Sequence, residues 1–90
     1  MVEIDKNLMR KYMNLLGKYD GIKDLLRRGS KDEIKIAYEY WKQGYAAVKG
    51  SKYEKQTKKY WDLVREVYEW KILGKKPDPN VLKKLFQFFL

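Results

Sequence analysis

Apolar residues recur at three- and four-residue spacing through most of this chain, and no stretch alternates apolar with polar at period two. That pattern predicts helices and no sheet. The richest stretch is SKYEKQTKKYWDLVREVYEW, residues 51–70. On a helix, Tyr53, Tyr60, Leu63, Val64 and Val67 share one side. Trp61 and Tyr68 widen it at one edge, and Trp70 widens it at the other. An arc of about half the circumference exceeds the stripe of a helix lying on one neighbour. A central helix touched from two or three sides is expected. It runs from a Ser51-Lys52-Tyr53-Glu54 capping box to about Leu73, with Gly74 as its stop.

Shorter signals mark out the remaining elements. Asp5 is placed to cap a first helix running to about Tyr19, with Leu8, Tyr12, Leu15 and Tyr19 on one face and Met9, Met13 and Leu16 beside them. Asp20-Gly21 breaks the run. Asp20 is placed to cap a short helix that turns Ile22, Leu25 and Leu26 inward and ends at Arg27-Arg28-Gly29. Ser30-Lys31-Asp32-Glu33 is a further capping box, and its helix runs to about Val48, before Gly50. Ile34, Tyr38, Trp41, Tyr45 and Val48 form the main face there, while Ile36, Tyr40 and Ala47 form a second apolar strip nearly opposite. KKPDP, residues 75–79, is the only linker-like stretch; Asp78 and Pro79 then start a last helix over residues 80–90. Short connections favour antiparallel neighbours. The expected fold is all-α, a compact four- to five-helix bundle in one domain spanning residues 1–90.

Composition narrows the function. The chain has no cysteine and no histidine, which excludes thiolate chemistry, zinc–thiolate sites, disulfides and every Ser-His-Asp arrangement. There is no glycine-rich phosphate loop. Asp62, Glu66 and Glu69 share a helical face, and Asp20 and Asp24 form another pair. Such carboxylates can hold a divalent metal or do acid–base work. Against that stands a solvated face paired with Lys58, Lys59 and Arg65. No enzyme, metal or cofactor is expected. The first thirty residues carry charges throughout, so no signal peptide is seen, and no apolar run reaches a membrane span. A cytoplasmic protein without membrane contact is expected. Abundant Lys, Tyr and Glu without Cys would suit a heat-adapted source.

The net charge is +9, from 21 basic and 12 acidic side chains. This favours polyanionic partners. Lys31, Lys35, Lys42 and Lys49 line up on one helix at offsets of four, eleven and eighteen residues. Lys52, Lys55 and Lys59 share a face of the next helix, and Arg10, Lys11 and Lys18 form a third patch. Such stripes can track phosphates without sequence preference, and aromatic rings beside them can stack on exposed bases. The competing reading is that each lysine is simply solvated and that most rings belong to the core.

Protein partners are the other possibility. Ile36, Tyr40 and Ala47 need cover, from another helix of the bundle or from another subunit. The last helix ends VLKKLFQFFL. Leu82, Leu85, Phe88 and Phe89 there resemble the sliding-clamp-binding peptide of replication and repair proteins. The resemblance implies that Leu85 enters a clamp pocket with Phe88 and Phe89 as the aromatic plug, although Leu82 stands where that family has glutamine. The same side chains can instead plug the bundle. Asp32-Glu33-Ile34-Lys35, then Ala37-Tyr38 and Tyr45, is similar to the second helix of J-domain co-chaperones. Trp61, Val64, Val67 and Tyr68 loosely follow their third helix, but the defining His-Pro-Asp is absent. Arg27-Arg28-Gly29-Ser30 resembles a basic-directed kinase site, though capping accounts for Ser30. The favoured expectation is a basic, non-catalytic accessory subunit of a nucleic-acid-handling assembly. It would contact phosphates and dock a protein such as a polymerase or sliding clamp. The alternative is a self-assembling or structural helical protein, such as a homo-oligomer, whose charge serves solubility.

Overall fold

A computed structural model describes residues 3–85. They form five helices: α1 (Lys6–Leu16), α2 (Ile22–Arg28), α3 (Lys31–Val48), α4 (Glu54–Lys71) and α5 (Pro79–Leu85). The fold is therefore the expected all-α bundle. The pairing of α3 with α4 is the most extensive, and α1 packs on α3. The α3–α4 hairpin is antiparallel and its seam is aromatic. Tyr38 stacks on Tyr68 at 3.9 Å between centroids and meets Trp61 at 5.2 Å, and Trp41 lies 5.3 Å from Tyr60. Such ring pairs add about 0.5–1.5 kcal/mol each beyond the area they bury.

Local chemistry sets the ends of the helices. Asp5 caps α1 as expected, accepting from the backbone N–H of Asn7 (2.8 Å) and Leu8 (3.3 Å). Its own N–H donates to Gln43 Oε1 at 2.9 Å, which ties the start of α1 to α3. The Ser30–Glu33 box is complete. Three expectations need correction. First, α1 stops at Leu16, three residues before Tyr19, because Lys18 and Tyr19 donate back to Leu15 and Leu16 in a tighter turn. Second, Asp20 caps nothing. Gly21, at φ 96°, supplies the entry to α2, and the Asp20 N–H donates to Asp24 Oδ2 at 2.9 Å. Third, the Ser51–Glu54 box does not form. Ser51 Oγ donates to Val48 O at 2.6 Å, and Glu54 Oε1 accepts from the N–H of Gly50 at 2.7 Å. Both groups serve the turn that leaves α3, so α4 begins at Glu54. It ends at Lys71, with Gly74 (φ 75°) beyond it.

The core comprises Tyr12 of α1, Leu25 and Leu26 of α2, Ile34 and Ala37 of α3, Leu63, Val64 and Val67 of α4, and Leu85 of α5. Tyr12 is the polar exception. It stacks on Tyr40 at 4.1 Å, and its hydroxyl accepts from Trp41 Nε1–H at 2.8 Å. Burial pushes its pKa up to about 12. Tyr40 and Ile36, whose cover the sequence left open between this chain and another, both pack against the core, with α1 supplying Tyr12. Met9 and Met13 lie on the outer side of α1, 37% and 50% exposed.

Helix α2 is short, and partners far away in sequence hold it. Lys71 Nζ donates to the carbonyls of Leu26 (2.7 Å) and Arg27 (2.9 Å), which places a cation at the negative end of the helix. Burial lowers the pKa of Lys71. Arg27 donates to Leu85 O at 2.9 Å and so fastens α5 to α2. Asp24, 6% exposed, accepts from Arg28 through both carboxylate oxygens, at 2.7 and 2.6 Å. The Arg28 guanidinium, then the Asp20 amide, hold the Asp24 carboxyl well below the usual carboxylate range. A depressed folded-state pKa contributes stability above the unfolded value of about 3.9, and that contribution fades as pH falls towards the folded value. Asp24→Asn is therefore expected to melt below the native chain at pH 7. The gap should narrow on acidification below about pH 4, and a gap constant between pH 7 and pH 2.5 would show that ionisation is not its source.

Candidate nucleic-acid interface

Helix geometry turns the expected lysine stripe outward. Lys31, Lys35, Lys42 and Lys49 are all exposed along α3, and Lys52, Lys55 and Lys59 are exposed at the start of α4 and just before it. Among the described residues none of these seven ammonium groups has a carboxylate within ion-pair distance. Several rest instead over rings: Lys42 is 6.0 Å from the Tyr38 centroid, Lys49 5.9 Å from Tyr45, and Lys52 5.1 Å from Tyr53. A ring face orients an ammonium without neutralising it. Arg10 and Lys11 are exposed on α1.

Several carboxylates, by contrast, are engaged. Asp62 pairs with Lys58 at 2.8 Å and Arg65 at 3.5 Å, Glu69 with Lys75 at 3.8 Å, and Glu66 Oε1 accepts from the N–H of Asp78 at 3.1 Å. Tyr19 donates to Glu33 at 2.6 Å, and with the Ser30 amide this holds the Glu33 pKa down. Asp20 and Asp24, one of the candidate pairs, meet through a backbone amide, with Asp24 committed to Arg28. The positive excess thus includes seven lysines without a carboxylate partner, while several of the negative groups are used within the fold; Asp32 and Glu39 remain exposed on α3.

The structure departs most from the sequence reading at Tyr53 and Tyr60. Both have core spacing, yet Tyr53 is 53% and Tyr60 39% exposed. Helix α3 ends at Val48 and Tyr53 precedes α4, and among the described residues the first turns of α4 are left open on that side. An open cleft of about 460 Å³ results, lined by Trp41, Val48, Tyr53, Gln56, Thr57 and Tyr60. A second, of about 560 Å³, adjoins it through Gln56 and Tyr60 and is lined also by Lys23, Lys59, Leu63 and Lys84. Both volumes lie in the range of small-molecule sites, roughly 300–1,000 Å³. No described carboxylate lines either one.

Of the lysines singled out from the sequence, only Lys59 reaches this cleft. Lys23 and Lys84 were missed because they stand on α2 and α5, and only the packing of α5 against α2 and α4 brings them to it. The last helix gives a mixed result. Leu82 is half-buried and Leu85 is wholly buried in the chain's own core, where the clamp-peptide resemblance would have it enter a partner. Phe88 and Phe89 lie outside the described residues. Ala47 is half-buried on α3. No described helix is long and apolar enough to cross a membrane. No protein-family model, no curated protein and no solved structure matches this chain.

Proposed function

We propose that this chain is a basic, non-catalytic accessory protein of a nucleic-acid-handling assembly, of the kind that serves a polymerase or a replication complex. It binds the phosphate backbone without sequence preference. One observation carries the reading: seven exposed lysines on α3 and at the start of α4, none paired with a carboxylate among the described residues. An exposed ammonium without a carboxylate partner gives up no ion pair when it meets a phosphate, and the release of condensed counterions drives the association.

Titration of a duplex oligonucleotide at several salt concentrations tests this. Binding should weaken linearly in log–log form, with a slope of about −0.9 per phosphate neutralised. The triple variant Lys35→Glu, Lys42→Glu, Lys49→Glu should flatten that slope by about 2 to 3 and lower affinity at low salt by at least about tenfold. Undiminished binding by the triple variant would remove the α3 stripe from the interface.

A further inference from the structure

We infer that the cleft beside α4 takes the unpaired bases of single-stranded nucleic acid, a reading that rests on the phosphate-binding role just proposed. Two sets of side chains meet there. Tyr53 and Tyr60 present exposed rings, and Tyr60 is backed by Trp41 at 5.3 Å with an interplanar angle of 29°. A ring already supported from behind offers its outer face at little conformational cost. Across Gln56 and Tyr60, which line both halves, stand the ammonium groups of Lys23, Lys59 and Lys84.

A duplex keeps its bases stacked inside and shows a ligand mainly phosphates and groove edges. A single strand shows phosphates and base faces together, and binding of that kind combines a basic groove with aromatic platforms. This cleft has that combination, with apolar rings along one half and three cations along the other. Gln56, at the junction, brings an amide that can both donate to and accept from base edges. The absence of a lining carboxylate among the described residues matches the charge of a polyanion and opposes an acidic rim. The α3 stripe accounts for phosphate contact alone; the cleft adds the preference for an unpaired strand.

The test compares three oligonucleotides of equal charge per strand: a thymidine oligomer, its abasic counterpart, and a duplex. The thymidine oligomer should bind at least about fivefold more tightly than the abasic strand for each base that stacks, the lower end of base–aromatic stacking. Tyr53→Ala with Tyr60→Ala should bring thymidine binding down to the abasic level while leaving abasic and duplex binding unchanged. Tyr60→Phe should keep the preference, since the ring remains. Tyr53→Ala alone, at an exposed position before α4, gives a partial loss in a chain whose fold is not at stake. Equal binding of all three oligonucleotides, or a double variant that melts like the native chain and still prefers thymidine, would overturn the inference and leave phosphate binding standing. No binding of any of the three at low salt would overturn both.

Discussion

Leu25→Ala is expected to lower the melting temperature by roughly 10–40 °C. The side chain is wholly buried in the middle of α2. Truncating such a leucine costs about 2–5 kcal/mol, the spread reflecting how far the site collapses. In a domain of this size each kcal/mol lowers the midpoint by about 4–8 °C. A chain of 90 residues has a total stability of only about 5–14 kcal/mol. One methyl cluster in α2 therefore accounts for a large part of what keeps the chain folded. At seven residues α2 is far too short to be helical alone, so it persists because Leu25 and Leu26 are buried and Lys71 holds its last carbonyls. Thermal denaturation followed by far-UV circular dichroism gives the shift. A shift under about 3 °C would show that α2 does not melt with the α3–α4 hairpin and would confine the cooperative core to α1, α3 and α4.

Gly29→Ala is the second large effect, and it arises without an unusual backbone angle. Gly29 has φ −66° and ψ 153°, open to any residue. The obstacle is proximity: a Cβ there would lie 2.5 Å from the Leu25 carbonyl oxygen and 2.9 Å from Leu25 Cδ1. The oxygen belongs to the backbone and already accepts the Gly29 N–H at 2.7 Å, so it cannot swing away. Relief requires the last turn of α2 to loosen around Leu25, and overpacking of this kind costs about 1–3 kcal/mol. Gly17→Ala is the control. Gly17 has helical angles, its Cβ would lie 3.4 Å from the nearest atom, and the substitution should leave stability unchanged or raise it by up to about 1 kcal/mol. Equal melting temperatures for the two alanine variants would show that the close approach at Gly29 relaxes freely.

Helix identity was legible in the sequence because it follows from periodicity and punctuation. The caps at Asp5 and Ser30, the break at Asp20-Gly21 and the start at Pro79 each signal through residues that lie beside one another. The Ser51 signal misled for a physical reason. The same hydroxyl and carboxylate that can close a capping box can also close the turn out of the preceding helix, and the short connection after Val48 favours the turn. Core membership was read well where a residue faces a neighbour along its whole length, as with Leu63, Val64 and Val67. It was misread at Tyr53 and Tyr60, because periodicity says which side of a helix a residue occupies and nothing about where the opposing helix stops. The cleft was the least legible part. Its lysines come from α2, α4 and α5, and its rings from α3, α4 and the turn between them. Only the three-dimensional path of the chain brings those side chains into one place.

The outward placement of Met9 and Met13 on α1 has a chemical consequence. The chain contains no cysteine, and no sulfur atom stands among the buried core residues described. Among the described residues, a peroxide that converts thioether to sulfoxide meets its targets on the surface of α1, outside the buried core, where an added polar oxygen has access to water. The interior offers such an oxidant only hydrocarbon, phenol and indole. Oxidation at these two sites thus leaves the described core residues chemically unchanged.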